Sequence, residues 1–272
     1  MNKFKGILFT TDLDGTLLRK DKTISPENKK AIDYFMAEGG IFTFITGRIP
    51  LGAQPVLEQL VPNAPFGCIN GGGIYDYSLK KMIWQEELDK SVLELVEYVD
   101  KNLPPMGIEV NTHEKIYFCK KSKATEKHRT DENFPDLCNH YTEVTEPFAK
   151  ILFADKAENV ELLDKMLKAH PRAAEFDFIR SDVEYYEILP KGASKGRLVK
   201  KLAEILNIDP KKTISAGDND NDVSMLEATG ISFAVSNASE KAKEAADYIT
   251  VSNEEHAIAK ILDDLDKGII KI

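Results

Sequence analysis

The sequence predicts an α/β protein with a doubly wound, Rossmann-like parallel sheet and an inserted α+β domain. Two observations indicate this architecture. In residues 1–86 and again in 187–272, short continuous apolar runs alternate with helical patterns, which is typical of parallel strands buried on both faces. Between them, in residues 87–186, short strands pair as hairpins. We therefore predict a discontinuous core domain that is interrupted by a second domain.

The elements of the first core segment follow from apolar runs and their stop signals. Ser25 and Pro26 begin the first helix as N-cap and first helical residue, and Gly39 ends it. In chain order we predict a strand at 7–9, that helix, a strand at 41–45, a helix near 51–60, a strand at 66–69 and a hairpin of 74–75 with 82–84. The three strands would form one parallel β-α-β-α-β sheet.

The remaining elements follow from the same signals. In the inserted domain we predict a helix at 88–103, strands at 108–110, 115–119 and 150–154, a helix at 159–169, and an antiparallel pair at 175–180 and 185–189. Residues 121–146 are polar and give no assignment. In the second core segment we predict helices at 194–206, 223–226, 239–246 and 254–265, with strands at 213–216, 231–235 and 248–251.

Composition excludes several classes of protein. The 272 residues carry a formal net charge of −9, which gives no electrostatic case for binding nucleic acid. No run of 18 apolar residues predicts a membrane span. The three cysteines, Cys68, Cys119 and Cys138, fit neither a disulfide framework nor a zinc site, and the N-terminus lacks a secretory leader. We expect a cytoplasmic protein that is a monomer or a weak homo-oligomer.

Two carboxylates follow the first predicted strand directly. Asp12 and Asp14 stand two residues apart, so their side chains would project from the same side of a strand. Two such charges ~4 Å apart repel by roughly 4 kcal/mol at a surface-like dielectric. A bound cation or a shared proton relieves that repulsion. An exposed acidic turn is the alternative, and partners at other strand ends would decide against it.

Further polar motifs lie just after a predicted strand or at the start of a predicted helix: Thr46-Gly47-Arg48, Lys195, and Asp218 with Asn221 and Asp222. Ligands of open parallel sheets bind outside the carboxyl ends of the strands. Carboxylates there can hold Mg²⁺, while threonine and lysine can hold phosphate oxygens. A remaining carboxylate can act as a nucleophile that forms an aspartyl phosphate. The residues therefore indicate metal-assisted phosphoryl chemistry.

These motifs, in this order, resemble the haloacid dehalogenase-like (HAD) superfamily, and specifically the Cof-like sugar-phosphate phosphatases with a type IIB cap. The resemblance runs the full length of the chain. It rests on Asp12-Leu13-Asp14-Gly15-Thr16-Leu17, Thr46-Gly47-Arg48, Lys195 within 191–196, and Gly217-Asp218-x-x-Asn221-Asp222. It implies a Mg²⁺-dependent phosphatase that hydrolyses small phosphomonoesters, with sugar phosphates as the expected substrates, through an aspartyl-phosphate intermediate. Residues 87–186 would be the cap.

The resemblance also implies the catalytic and metal-binding residues. Asp12 would be the nucleophile and a Mg²⁺ ligand. Asp14 would be the general acid and then the general base, with its backbone carbonyl on the metal. Asp218 would bind Mg²⁺ directly. Asp222 would act on the metal through water or position Lys195.

The phosphate-binding residues are implied in the same way. Thr46 and Lys195 would bind the transferring phosphate with their side chains. Leu13 and Gly47 would offer backbone N–H groups, and Asn221 would contact the phosphate as well.

Five positions stay open at this point. Asp220 adds a carboxylate inside the last motif, so it could join the metal shell or face solvent. Asn70 and Gly71 could line the substrate pocket or form a tight turn. Arg48, a candidate substrate contact, could pair with an acid or reach the cap, and Arg180 could face the substrate from the cap or face solvent. A cap that closes over the site would exclude water and select the leaving group.

Other functions use part of the same pattern. A sugar phosphomutase would share the aspartyl-phosphate chemistry but keep the phosphate. A non-catalytic phosphoacceptor module is disfavoured by Asp14 and by the insert of about 100 residues, for which it has no use. A dehalogenase is disfavoured by Asp14 and Asp218, because that chemistry needs no Mg²⁺.

Overall fold

The computed structural model describes residues 2–272 and divides the chain into two compact units. The first unit comprises Met1–Gly47, Ala53–Trp84 and Ser194–Ile272, and the second comprises Arg48–Gly52 and Gln85–Ala193. The domain limits drawn from the sequence, after residues 86 and 186, stay a prediction.

The strands of the described chain are β1 (Leu8–Thr11), β2 (Ile41–Phe44), β3 (Phe66–Cys68), β4 (Gly73–Asp76), β5 (Lys81–Gln85), β6 (Gly107–Asn111), β7 (Ile116–Lys120), β8 (Lys150–Ala154), β9 (Phe176–Arg180), β10 (Tyr185–Pro190), β11 (Thr213–Gly217), β12 (Ile231–Ala234) and β13 (Tyr248–Ile249). Its α-helices are α1 (Pro26–Ala37), α2 (Pro50–Leu57), α3 (Leu93–Asn102), α4 (Lys123–Asp131), α5 (Ala157–Lys168), α6 (Lys195–Ile205), α7 (Val223–Ala228), α8 (Glu240–Ala245) and α9 (Ala257–Asp266).

The first unit is built on a parallel sheet with strand order β13-β12-β11-β1-β2. β1 lies in the middle of this sheet, and all four of its residues are buried. The chain leaves β1 toward β2 on one side and returns to β11 on the other, so the strand order reverses between β1 and β11. This reversal is the position where open α/β sheets bind ligands. The α/β class and the doubly wound sheet predicted from the sequence are confirmed.

The third predicted strand does not join this sheet. β3, β4 and β5 form a separate sheet in which β3 and β4 are antiparallel. An isolated parallel bridge between Ile45 and Gly67 links the chain after β2 to β3. β3 has only three residues because Ile69 and Asn70 follow with positive φ angles of 58° and 50° and turn the chain into β4. The expectation that β3 extends the parallel sheet is therefore wrong.

The second unit is an α+β structure with strand order β7-β6-β8-β10-β9, in which neighbouring strands are antiparallel. Alternate residues along its central strands point to one apolar face, which shares a core with α3 and α5. α4 lies within residues 121–146, for which the sequence analysis predicts no element. Ser122 and Thr125 form a reciprocal capping box at its start, while its charged sequence lacks an apolar stripe that would predict a helix.

Among residues 2–272, none of the helices has both the length and the apolar character that a membrane span requires.

Candidate active site

The site forms where β1 and β11 end side by side. The two strands are paired in parallel, with Thr11 opposite Ala216. Asp12 follows β1 at once, and its backbone N–H donates to the carbonyl oxygen of Ala216 at 2.9 Å. Asp218 follows β11 in the same way. The strand register therefore brings together two carboxylates that lie 206 positions apart in the sequence.

Asp12, Asp218 and Asp222 form a compact acidic group. Each offers one carboxylate oxygen, and these oxygens all lie within 4.8 Å of one another. Asp12 is only 6% exposed. Burial, reinforced by the nearby charge of Asp222, holds the pKa of Asp12 well above its usual range. The same causes raise the pKa of Asp218 to about 7. Ionisation of this group therefore calls for a positive charge.

Lys195 supplies one such charge. Its Nζ atom lies 2.8 Å from Asp12 Oδ1 and 2.6 Å from Asp222 Oδ1, and its side chain is almost completely buried. Burial alone would lower the pKa of Lys195, but the two carboxylates outweigh it and hold the pKa above its usual value. Lys195 begins α6, whose N-cap is Ser194. The start of α6 thus places the ammonium between two carboxylates.

Asp222 is held from two sides. Its Oδ1 atom accepts a hydrogen bond from the Lys195 ammonium. Its Oδ2 atom accepts hydrogen bonds from the backbone N–H groups of Asp218 and Asn219, at 2.9 and 3.0 Å. Asp220 is arranged differently: it accepts hydrogen bonds from Ser239 and Lys241, at 2.8 and 2.6 Å. The Lys241 ammonium lowers the pKa of Asp220. The structure thus leaves Asp220 outside the acidic group.

Asp218 has a partner that the sequence analysis did not single out. The Thr16 hydroxyl donates to Asp218 Oδ1 at 2.7 Å. Gly15, just before it, has a φ of +83°, and a Cβ there would lie 2.4 Å from Asp218 Oδ2. Only glycine suits that position. The signal for Thr16 was its place directly after the acidic motif.

Asp14 lies outside the group formed by the other three aspartates. Its Oδ1 atom is 2.6 Å from the Nζ atom of Lys22, and its side chain is 39% exposed. The Leu13 carbonyl, between the two acids, accepts the backbone N–H groups of Leu17 and Leu18 at 3.1 and 2.8 Å. Asp14 therefore lies within a tight turn that follows β1.

Asn70 contacts both Thr46 and Gly47, which follow β2, and Asn221, which follows β11. The Thr46 carbonyl accepts the backbone N–H of Asn70 at 3.1 Å. Asn221 Nδ2 donates to Asn70 Oδ1 at 3.1 Å. A Cβ on Gly47 would lie 2.8 Å from Asn70 Nδ2. Within the described chain, Asn221 Oδ1 is buried without a hydrogen-bond partner. Asn70 therefore joins Thr46, Gly47 and Asn221 in one place.

Three of the open positions have other surroundings. Gly71 is buried beside Asn70 and has a φ of 120°. Arg48 belongs to the second unit, where it donates to Glu132 Oε2 at 2.5 Å and to the Gly52 carbonyl at 2.7 Å. Arg180 also belongs to the second unit and donates to the Val183 carbonyl at 2.9 Å. Their contacts with substrate stay predictions.

Comparison with known proteins places this geometry in a family. A family model described as haloacid dehalogenase-like hydrolase matches residues 9–262. The chain belongs to the haloacid dehalogenase-like hydrolases. Within them it is a Cof-like HAD hydrolase, as the resemblance of its motifs predicted, and it is a phosphatase.

Relatives and solved structures of this HAD phosphatase agree with that assignment. It is 30% identical to the 5-amino-6-(5-phospho-D-ribitylamino)uracil phosphatase YwtE of Bacillus subtilis, over 94% of this chain and 97% of the relative. It is 26% identical to the phosphatase YwpJ of the same organism, over 94% and 98% of the two chains.

Two solved structures share the fold along their length. The structure of a haloacid dehalogenase-like hydrolase from Bacteroides thetaiotaomicron has a TM-score of 0.83 and 25% identity, covering 95% of this chain and 99% of its own. A sugar phosphatase of HAD subclass IIB also has a TM-score of 0.83, at 20% identity and coverage of 97% and 100%. The latter likeness concerns the fold.

Proposed function

We propose that this HAD phosphatase is Mg²⁺-dependent and hydrolyses small phosphomonoesters, including sugar phosphates, through a phosphoryl group carried on Asp12. The observation that carries the proposal is the contact of the buried Asp12 carboxylate with the Lys195 ammonium inside a group of three aspartates. A relative named for a phosphorylated ribityl compound, and the fold shared with a sugar phosphatase, support the substrate class.

The donor set fits a hard divalent cation. The three grouped side chains offer only oxygen atoms, which Mg²⁺ prefers. Among the described residues of this group, three carboxylates face one ammonium, so full ionisation leaves an excess of negative charge. We propose that Asp12 and Asp218 hold the metal directly, with the Asp14 backbone carbonyl, and that Asp222 acts through water. When bound, Mg²⁺ would offset the charge of the phosphate dianion and of its attacking carboxylate.

In the first step, an Asp12 carboxylate oxygen attacks phosphorus, and the bond from phosphorus to the ester oxygen breaks. The leaving oxygen takes the bonding electron pair and receives a proton from Asp14 as general acid. In the second step, Asp14 takes a proton from water as that water attacks phosphorus. The bond to Asp12 then breaks, which releases inorganic phosphate and restores both carboxyl groups.

The transferring phosphoryl group needs donors around its oxygens. We assign Lys195 and Thr46 as side-chain donors, with the backbone N–H groups of Leu13 and Gly47 and the side chain of Asn221. Lys195 is well suited because its ammonium is buried, so that water does not screen its charge. The contact of Asn70 with Asn221 supports a positioning role for Asn70.

The proposal places the reaction in the cytoplasm, since the three cysteines of the chain are free. Residues 87–186 would act as the cap that selects the leaving group, with Arg48, Gly71 and Arg180 as substrate contacts to be tested.

The test is phosphate release from a panel of sugar, polyol and nucleoside monophosphates, measured with Mg²⁺ and with a chelator. We expect turnover of some panel members that requires Mg²⁺ and is absent from Asp12→Asn. Equal turnover by Asp12→Asn, or turnover that survives complete removal of divalent metal, would overturn the proposal. Conversion to an isomeric sugar phosphate without free phosphate would instead indicate a mutase.

A further inference from the structure

A tight hairpin follows the acidic motif and lies beside Asp14. Leu18 forms an antiparallel bridge with Ile24 and a parallel bridge with Asp14. Within the hairpin, the Arg19 N–H donates to the Thr23 carbonyl and the Lys22 N–H donates to the Arg19 carbonyl, both at 2.9 Å. Leu18 thus ties the hairpin to the backbone of Asp14.

Lys22 takes an unusual backbone conformation at the end of this turn. Its φ is 63°, in the left-handed region that glycine and asparagine adopt most easily. Lysine there gives up local stability that a glycine would retain. A residue held in such a conformation against its preference is often part of a functional site.

A distant side chain fixes this conformation. Gln59 Nε2 donates to the Lys22 carbonyl at 3.1 Å, and Gln59 Oε1 accepts the Ile24 N–H at 2.8 Å. On the other side, Asp21 Oδ1 accepts the backbone N–H and the hydroxyl of Thr23 at 3.0 and 2.6 Å. The backbone on both sides of Lys22 is therefore anchored.

From this anchored backbone, the Lys22 side chain extends to Asp14. Lys22 Nζ lies 2.6 Å from Asp14 Oδ1, and the two side chains are 59% and 39% exposed. Ion pairs at such exposure add little to stability, because water screens them and both side chains lose freedom. The ion pair therefore adds little to the stability of the fold, so stability alone does not require a lysine at this position.

We propose that Lys22 is a positioning residue that holds the Asp14 carboxyl group in the orientation from which it serves the leaving group. This inference rests on the proposed function, in which Asp14 protonates the leaving oxygen. Lys22 acts through Asp14 and is not required for the attack by Asp12.

The leaving group gives the decisive readout. A sugar or alkyl alkoxide is a poor leaving group and needs the proton of Asp14, whereas p-nitrophenolate leaves without one. The ratio kcat/KM reports the steps up to departure of the leaving group, so later hydrolysis of the phosphorylated enzyme does not enter it. We expect Lys22→Met to lower kcat/KM for a sugar phosphate ~10-fold or more and for p-nitrophenyl phosphate less than ~2-fold.

Three variants control for other effects. Lys22→Gly removes the side chain while favouring the left-handed turn, so it should keep or raise Tm and still show the selective loss. Lys22→Arg should recover part of the sugar-phosphate activity. Lys20→Met, which removes an exposed lysine of the same hairpin, should match wild type.

The outcomes separate the two proposals. Equal losses for both substrates in Lys22→Gly would mean that Lys22 binds the phosphate or supports the fold, and no loss for either would mean that it does not act on Asp14; each result overturns the inference. Failure of the proposed function would appear differently, as wild-type activity that Asp12→Asn retains.

Discussion

Buried charges are arranged differently in the two units of the molecule. In the second unit, the buried Lys150 ammonium lies 3.0 Å from the buried Glu187 carboxylate. In the first unit, the Lys195 ammonium contacts Asp12 and Asp222, and Asp218 belongs to the same acidic group. A buried charge normally persists only when it is paired or bound to a metal. The Lys150–Glu187 contact joins opposite charges, while the acidic group of the first unit has more carboxylates than ammonium groups and is therefore suited to a further cation.

The largest expected effect follows replacement of the proposed nucleophile. Asp12→Asn should lower kcat at least about 1,000-fold, because it removes the carboxylate to which we assign the attack on phosphorus. It should leave Tm unchanged or higher, since it also removes one of several like charges from a buried site. Phosphate release and a thermal melt measure the two effects. A large fall in Tm would mean that Asp12 serves the fold.

Removal of the lysine from each region tests the comparison directly. Lys195→Met and Lys150→Met should each lower the free energy of unfolding by about 3 kcal/mol, because each leaves buried carboxylate without its cation. In Lys195→Met, Mg²⁺ should raise Tm by more than it does in the wild type, because the added cation replaces the lost charge. In Lys150→Met, Mg²⁺ should raise Tm by the same amount as in the wild type. The same gain in both variants would contradict a cation site in the first unit.

Asp222 and Asp220 lie in one short segment but have different partners, so their variants form a matched pair with smaller expected effects. Asp222→Asn should lower kcat/KM about 10- to 100-fold, because Asp222 holds Lys195 and the loop after β11. Asp220→Asn should stay within about twofold, since its partner Lys241 is largely exposed. Steady-state kinetics on one sugar phosphate decide this, and similar losses in the two variants would refute the division of roles.

The smallest expected effect is a pH dependence of stability. The raised pKa values of Asp12 and Asp218 mean that the metal-free folded state binds more protons than the unfolded state. Its stability should therefore fall as the pH rises from the ordinary value of 3.8 through about 7. Mg²⁺ favours the ionised carboxylates, so the gain in Tm on adding it should be larger at pH 8 than at pH 5. Asp218→Asn should reduce this difference, and a gain independent of pH would count against the cluster.

Local sequence signals were enough to predict which strand ends of the first unit lie side by side. Asp12 and Asp218 each come directly after a buried strand, and parallel pairing brings such ends together. The Asn70 contact with Asn221 and the Lys22 contact with Asp14 could not be predicted, since each depends on how separate turns fold back. The glycine-rich sequence after β3 does not predict which way the Asn70 side chain points.

One element in each unit shows the limit of periodicity. α4 was missed because its start is set by a capping box and its surface is charged, so no apolar stripe marks it. β3 was placed in the wrong sheet because a short apolar strand reads alike in parallel and antiparallel pairing. In both cases tertiary contacts decide what the local pattern leaves undetermined.

The most direct test of the account is chemical capture of the phosphoryl group. Turnover of a good phosphomonoester substrate with Mg²⁺ would be quenched rapidly in acid, and the digested protein examined by mass spectrometry. The account predicts one added phosphoryl group on the peptide that contains Asp12, and none in Asp12→Asn. Turnover at full rate with no phosphoryl group on Asp12 at any quench time, together with an active Asp12→Asn, would contradict it.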